Sequence, residues 1–297
     1  METPANSNKR LPAMPSMLVK SLLTLNRVDN TQAEKAELQH QFFIEKIDNK
    51  KLSTYQQMFG GFISDIPLAL FYCLAQRTHL AQMLDNSFPW PAPGLVHVNN
   101  SLEQHSRIDP EAGFNLDAIV KLPARGPDVS PRRLRPQFIV KFYQAKQLVV
   151  TCKSTYQVMS RQTSSTPNRK TATKAFEPQP GWVNHCHWQL GSGMGRRYAR
   201  VSGDFNPIHL HALTSRWFGF KKPIIHGMYM MARAQAEIER QVGQAATHID
   251  VNFKRPVVLP ARVQLWVHED DDEHRYEVRS ADHAHAQLDG KIKFSDD

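Results

Sequence analysis

The sequence predicts an α+β fold built from a duplicated unit, in which one long helix packs against several antiparallel strands. Three observations support this prediction. A pattern for an apolar helix is followed by strand patterns, and this order occurs twice along the chain. A polar segment rich in Ser, Thr, Pro and Lys, residues 161–182, separates the two occurrences. The 297 residues, 41% of them hydrophobic, suffice for one large core or two modest ones.

The first occurrence lies in residues 52–160. Its helix is predicted at residues 66–84, a stretch too long for a strand and apolar around most of its circumference. Strand patterns follow at residues 94–108, 114–124 and 135–160. Residues 1–51 are assigned to an N-terminal tail with a short amphipathic helix near residues 17–25.

The second occurrence lies in residues 183–297, beyond the 161–182 linker. Good helix formers and small residues predict its helix at residues 224–242. A strand is expected around residues 185–188, and further strand patterns follow the helix at residues 248–260, 261–269, 274–280 and 286–295. The acidic stretch at 269–273 is most simply a solvated hairpin turn.

The composition favours a cytoplasmic globular protein. Three widely spaced cysteines argue against a disulfide framework and fit a reducing compartment. Prolines 12 and 15 and Lys20 interrupt the apolar N-terminal stretch, so we expect no signal peptide. Nowhere do 18 uncharged apolar residues follow one another, so we expect no membrane span.

The net charge of +9 is concentrated in residues 121–174, where twelve basic residues face one acid, Asp128. Such a segment attracts anions, for example a phosphorylated ligand or an acidic carrier protein. It could equally be a solvated basic surface. Nucleic acid is the weaker interpretation, because the sequence contains no zinc-finger or RNA-recognition signature.

The stretch SGDFNPIH, residues 202–209, combines a tight turn with two titratable groups. Gly203 permits an unusual φ angle, and Pro207 fixes its own φ and restricts the residue before it. The loop should therefore be rigid and present Asp204 and His209 close together. A carboxylate and an imidazole that share a water can move protons to and from it. Alternatively, Asp204 only caps the next helix and His209 is exposed.

A second stretch, PIIHGM from residue 223, leads into the helix of the second half. His226 and Gly227 lie at its predicted start, where backbone amides lack intrahelical acceptors and the helix dipole is positive. A glycine there lets a ligand carbonyl approach the amide closely, as in an oxyanion site. Alternatively, Gly227 only allows two elements to pack. The methionines that follow could line an acyl pocket or simply fill the core.

The sequence YARVSGDFNPIH, residues 198–209, resembles the signature of the MaoC-like family, which includes the R-specific enoyl-CoA hydratases. The stretch FGFKKPIIHGM, residues 218–228, resembles the segment that comes after that signature in the family. The first half resembles the degenerate companion domain of two-domain members, most clearly at residues 88–108. The resemblance implies a double hot-dog fold, with two long helices each wrapped by an antiparallel sheet.

The same resemblance implies reversible syn addition of water to a trans-2-enoyl thioester, giving a (3R)-3-hydroxyacyl thioester. Asp204 and His209 would activate the water, and the amide of Gly227 would polarise the thioester carbonyl; which of the first two is acid or base stays open. Neither motif occurs in the first half, so we expect one site per chain. The positions expected to contact substrate or shape its site are Ser202, Gly203, Asn206, His226, Met228, Arg132, Arg133, Lys221 and Lys222.

The implied reaction, a step of fatty acid metabolism, needs no redox cofactor and no metal. The expected partner is an acyl-CoA or acyl carrier protein thioester, with no nucleic acid and a possible homodimer. Other interpretations are a carrier-protein-linked 3-hydroxyacyl dehydratase, a hot-dog thioesterase and a non-catalytic acyl-thioester binding module. The His-x-His pairs at 185–187 and 209–211 could also be imagined as a metal site, but the hydratase interpretation already uses His209 as a base.

Overall fold

A computed structural model describes residues 9–27, 36–124, 134–159, 179–216, 218–270, 273–281 and 285–295. The helices are α1 (Met14–Leu23), α2 (Asn49–Phe59), α3 (Leu70–Met83), α4 (Met194–Ser202), α5 (Ala212–Arg216) and α6 (Gly227–Val242). The strands are β1 (Lys9–Arg10), β2 (Glu37–Ile44), β3 (Leu95–Gln104), β4 (Phe114–Lys121), β5 (Gln137–Gln144), β6 (Gln147–Val158), β7 (Trp182–Leu190), β8 (Ala246–Phe253), β9 (Ala261–Glu269), β10 (His274–Ser280) and β11 (Ala286–Phe294).

The chain divides into two compact units. Residues 1–49 and 71–164 form the first unit, and residues 50–70 and 165–297 form the second. Residues 52–70, which the sequence analysis placed in the first domain, thus cluster with the second unit, as do residues 50 and 51 of the predicted tail. Most of the predicted linker, together with Arg132 and Arg133, lies outside the described residues.

In the first unit the strand order is β1-β2-β4-β5-β6-β3. The short β1 runs parallel to β2, and the other neighbours are antiparallel. Helix α3 is buried as its apolar circumference predicted, and Phe71 contacts Phe114 and Phe142 of the sheet edge to face. These side chains form a continuous core between helix and sheet.

In the second unit the strand order is β7-β9-β10-β11-β8, and all pairs are antiparallel. This order corresponds strand by strand to β2-β4-β5-β6-β3 of the first unit. Helix α6 lies against β8, and its alanines at 232, 234 and 236 are fully buried. The predicted α+β architecture with a duplicated unit is therefore confirmed.

The tail assignment for residues 1–51 was incomplete. Strand β2 falls within it, where Leu38 and Phe42 are buried and the strand pairs with β4 along its whole length. The predicted amphipathic helix exists, but it spans Met14–Leu23 rather than residues 17–25. The strand was missed because polar residues lie between its buried apolar positions, so the sequence shows no clear apolar run there.

Segment 50–70 supports the start of α6. The Phe59 ring at the end of α2 packs against Tyr229, with ring centroids 5.2 Å apart, and against Tyr198 at 6.2 Å. The backbone N–H of Ile63 donates to Glu239 Oε2 at 2.9 Å. Both ends of α6 are thereby tied to the same segment.

Cys73, Cys152 and Cys186 are free thiols, as their spacing predicted. Burial raises the pKa of the Cys152 thiol to about 12 and that of Cys186 to about 11. Neither thiol is therefore suited to act as a nucleophile at neutral pH. Within the described ranges, no helix has the length and apolar character needed to cross a membrane.

Candidate active site

The candidate site begins where α4 ends. Gly203 has a φ of 83°, as the turn analysis predicted, and its N–H donates to Ala199 O at 2.9 Å. The Ser202 hydroxyl is buried; it donates to Tyr198 O at 2.9 Å and accepts from the Asp204 N–H at 3.1 Å. Ser202 and Gly203 therefore set the direction in which the chain enters the loop.

Two successive side-chain-to-backbone bonds make this loop rigid. Asp204 Oδ1 accepts from the Asn206 N–H at 3.1 Å, and Asn206 Oδ1 accepts from the Ile208 N–H at 3.3 Å. Asn206 thereby caps a 3-10 turn at Pro207–His209. The cap is thus Asn206, so the alternative in which Asp204 caps the following helix is wrong.

His209 is buried, which contradicts the alternative of an exposed imidazole. Its Nδ1 lies 2.9 Å from Ile224 O. Because a carbonyl oxygen only accepts, Nδ1 carries the proton and Nε2 is left as the acceptor. Burial lowers the pKa of His209, against the opposing effects of Asp204 and the Ile224 bond. The imidazole is therefore neutral at neutral pH and able to accept a proton.

Close approach of α4 helps to position His209. A Cβ on Gly195 would lie 2.3 Å from His209 O, so only glycine fits at this position of the helix. The next residue of the same helix, Arg196, donates to Leu210 O at 2.9 Å. The backbone around His209 is therefore held from the α4 side.

His226 touches both candidate catalytic groups. Its ring stacks on that of His209, with centroids 3.6 Å apart and planes inclined by 26°. Its Nε2 donates to the Asp204 carbonyl oxygen at 3.0 Å and lies 3.9 Å from Asp204 Oδ2. Burial, reinforced by His209, lowers the pKa of His226, so this ring also stays neutral. The His226 side chain is only 2% exposed, so it holds Asp204 and His209 in place and has almost no surface of its own for a substrate to contact.

Helix α6 begins at Gly227, with His226 as its N-cap, which confirms the predicted helix start. The range 224–242 that the helix formers predicted thus begins three residues too early. Its first residues are not helical because the Ile225 N–H donates to Val257 O at 2.9 Å. A Cβ on Gly227 would lie 2.4 Å from Cε1 of Phe253. The packing explanation for Gly227 therefore has direct support. Met228 is buried next to it.

Of the four basic residues predicted to contact substrate, two lie among the described residues and two lie outside them. Lys221 and Lys222 are exposed and directly precede the segment that carries Ile224 and His226. Arg132 and Arg133 lie outside the described residues. Of the predicted basic contacts, these two lysines are thus the ones among the described residues, a few positions before His226 in the chain.

One potential metal-ligand group occurs in the part of the chain that the structure describes. It consists of Asp204, His209 and His226, whose ligand atoms lie within 4.8 Å of one another. Stacked imidazoles direct their in-plane lone pairs alongside each other, whereas ions such as Zn²⁺ need them to converge at about 2 Å. The geometry therefore favours an acid–base site. The described residues bring neither His185 nor His187 into such a group.

Sequence reasoning missed four contributors to this site: Gly195, Tyr198, Ile224 and Phe253. Ile224 and Tyr198 contribute backbone carbonyls, which leave no mark on residue type. The Tyr198 ring also packs edge-on to His226 at 4.9 Å. A signal did exist for Tyr198, which lies one helical turn before Ser202 in the signature stretch 198–209.

The sequence around this site is similar to a known domain family and to two named enzymes. Residues 170–286, which include the whole candidate site, match the model of the MaoC like domain. Over 228 residues, 76% of this chain and 78% of the relative, the chain is 28% identical to 3-hydroxyacyl-thioester dehydratase X of Mycobacterium tuberculosis. Over 82 residues, 27% of this chain and 61% of the relative, it is 28% identical to the (R)-specific enoyl-CoA hydratase of Aeromonas caviae.

Solved structures support the fold. The crystal structure of HtdX of Mycobacterium tuberculosis matches with a TM-score of 0.66 and 22% identity, covering 86% of this chain and 100% of that one. A second Mycobacterium tuberculosis protein, described as a double hot-dog fold, matches with a TM-score of 0.57 and 11% identity, covering 89% and 97%. The chain therefore has a double hot-dog fold.

Proposed function

We propose that this chain, whose residues 170–286 match the MaoC like domain, interconverts trans-2-enoyl thioesters and (3R)-3-hydroxyacyl thioesters by reversible addition of water. The observation that carries the proposal is the buried cluster in which Asp204 and His209 both contact His226. The relationship to a 3-hydroxyacyl-thioester dehydratase supports the reaction class.

His209 is proposed to be the base in the hydration direction. Its Nδ1 proton is committed to Ile224 O, which leaves Nε2 to accept a proton from water as the oxygen bonds to C3. The Asp204 carboxylate orients the water and stabilises the imidazolium. The imidazolium then returns that proton to C2, so the water O–H bond breaks while C3–O and C2–H bonds form on one face. Dehydration reverses these steps.

The thioester carbonyl is proposed to lie at the start of α6. Negative charge develops on this oxygen as the C3–O bond forms, and the amide of Gly227 in the first turn of the helix can donate to it. The dipole of a helix of 16 residues adds to this stabilisation. Lys221 and Lys222 are proposed to contact phosphate groups of the substrate, because both are exposed beside this segment.

The direct test follows the loss of enoyl absorbance on adding the protein to trans-2-enoyl-CoA, with chiral analysis of the product. Asp204→Asn should lower kcat by about 10²–10⁴-fold. His209→Asn should do the same, since its amide can still donate to Ile224 O while the Nε2 acceptor is lost. His211→Asn is the matched control: His211 is exposed, and its bond from the Leu213 N–H can be kept by the asparagine oxygen.

Three outcomes would contradict the proposal: no hydration with short, medium or long chains, an Asp204→Asn variant as active as wild type, or an (S) product. Release of free CoA without hydration would instead support a thioesterase. Parallel assays with CoA and carrier-protein thioesters identify which carrier the enzyme accepts, and so test the carrier-protein-linked dehydratase.

A further inference from the structure

Helix α1 has two apolar sides, of which the fold uses one. The side chains of Leu11, Met14 and Met17 are buried against the first unit. The other side exposes Val19, Leu22 and Leu23 at 69%, 55% and 80%. Spacings of three and four residues place these three side chains on one face of the helix.

This exposed face is the densest of its kind in the described residues. Of the twelve exposed large apolar side chains there, four fall within positions 19–25, the fourth being Leu25. Single exposed apolar residues are ordinary, whereas a cluster marks an interaction surface.

Two arginines hold α1 against the first unit by hydrogen bonds on either side of the helix. The orientation of its exposed face is therefore fixed. Arg77 donates to Leu11 O at 2.8 Å and to Pro12 O at 2.9 Å, just before the helix. Arg27 donates to Met83 O at 2.7 Å, Phe88 O at 3.0 Å and Leu84 O at 3.1 Å, just after it. Both guanidinium groups therefore serve to hold the segment against the first unit.

The charged residues within the segment 9–27 are all basic. Lys20 is exposed between Val19 and Leu22, and Lys9 is exposed just before the helix. No acidic residue occurs at positions 9–27. Leucines interleaved with lysine are the composition of helices that lie in the interface of anionic membranes.

We propose that the exposed surface formed by Val19, Lys20, Leu22 and Leu23 of α1, together with Leu25 just after the helix, docks the protein on an anionic phospholipid surface. The leucines enter the headgroup boundary while the lysine amines stay beside lipid phosphates. A second copy of the chain fits less well, because a two-fold contact through this face would bring two Lys20 side chains together. Protein interfaces also favour aromatic residues and arginine over lysine, and this face contains no aromatic residue and no arginine.

The test is co-sedimentation of the full chain with vesicles of phosphatidylcholine alone and of phosphatidylcholine mixed with phosphatidylglycerol. Wild type should bind the anionic vesicles, and added salt should release it. Lys20→Gln should weaken partitioning about fivefold, the effect of one basic charge near such a surface. The double variant Leu22→Ser, Leu23→Ser should weaken it about tenfold or more.

Val183→Ser is the matched control, since Val183 is 64% exposed on β7 of the second unit, and its binding should equal that of wild type. Thermal melts verify that each variant is folded, and hydration of a short soluble enoyl thioester should be unchanged in all of them. Failure of wild type to bind anionic vesicles at low salt would overturn the proposal, as would undiminished binding of the double serine variant. A wild-type dimer that the double variant converts to monomer, without vesicle binding, would assign the face to self-association and also overturn it.

Discussion

His226 joins the two residues proposed to carry the chemistry, since its ring stacks on His209 and its Nε2–H holds the Asp204 carbonyl. Because its side chain is almost fully buried, it cannot itself exchange protons freely with solvent. We infer that His226 is a positioning residue. It fixes the distance between the loop that carries Asp204 and the imidazole that accepts the proton.

Two substitutions of His226 separate these contributions. His226→Gln can keep a donor near the position of Nε2 but loses the ring, whereas His226→Phe keeps the ring face and loses the donor. If the bond to Asp204 O sets the loop, His226→Phe should lower kcat about 10–100-fold with little change in KM, and His226→Gln should lose less. Steady-state kinetics checks this, with melting temperatures to confirm folding. Wild-type kcat in both variants would remove His226 from the positioning role.

At the scale of elements, α6 does more than present Gly227. Near its other end, Glu239 is fully buried and accepts from Gln235 Nε2 at 2.6 Å, from the Ala246 N–H at 3.0 Å and from the Ile63 N–H at 2.9 Å. One carboxylate therefore ties the helix to the start of β8 and to segment 50–70. Burial raises the pKa of Glu239, and these bonds counteract the rise.

Replacing Glu239 by Leu should destabilise the second unit strongly. The change leaves the buried Ala246 N–H and the buried Gln235 amide without their acceptor, at about 1–3 kcal/mol each, and removes a bond from the partly exposed Ile63 N–H. We therefore expect a loss of about 2–6 kcal/mol in the free energy of unfolding, measured by urea denaturation. Glu237→Ala is the control on the same helix: Glu237 pairs with the mostly exposed Arg240, and its loss should cost about 1 kcal/mol. Equal losses for both would contradict this role of Glu239.

The elements that could be predicted from the sequence are those with a regular pattern of apolar residues along one face. Helix α6 and strands β9–β11 lie within three residues of their predicted ranges, because each has a continuous apolar face. Strand β8 ends at Phe253, seven residues before the predicted limit of 260. Helix α2 was not predicted because most of its residues are polar. The part of the second unit with which it clusters lies more than one hundred residues later in the sequence. The same holds for the site: the turn chemistry of residues 202–209 is local, whereas Ile224 O and the His226 stack come from tertiary contact.

At the scale of the molecule, the chain contains two copies of one sheet order but places the candidate acid–base pair in only one of them. At the start of α3, the Leu70 N–H donates to Pro67 O, and no His-Gly pair occurs there. The first unit instead buries a different polar group, in which His79 Nδ1 lies 3.1 Å from the Tyr156 hydroxyl. Each unit therefore contains buried histidine, and protonation of these side chains affects the stability of the whole chain.

Acid should destabilise this protein well above the range in which carboxylates titrate. Burial lowers the pKa of His79, His209 and His226 below the ordinary value of 6.5, so all three are neutral in the folded state. As the pH falls below about 6.5, the unfolded chain binds protons at these positions before the folded chain does, so stability is lost. Each such histidine contributes at most about 1.4 kcal/mol per pH unit, a limit reached while it is protonated in the unfolded chain and neutral in the folded one, so three set an upper limit of about 4 kcal/mol per pH unit.

Glu239 acts in the opposite sense, because its raised pKa makes the folded state bind a proton first, but one carboxyl opposes three imidazoles. Urea unfolding between about pH 7 and pH 5.5 measures the net slope. Replacing His79 by Phe should reduce that slope, whereas His187→Gln, at an exposed position of β7, should leave it unchanged. A free energy of unfolding that stays flat across this range would show that the three histidines are not held neutral by the fold.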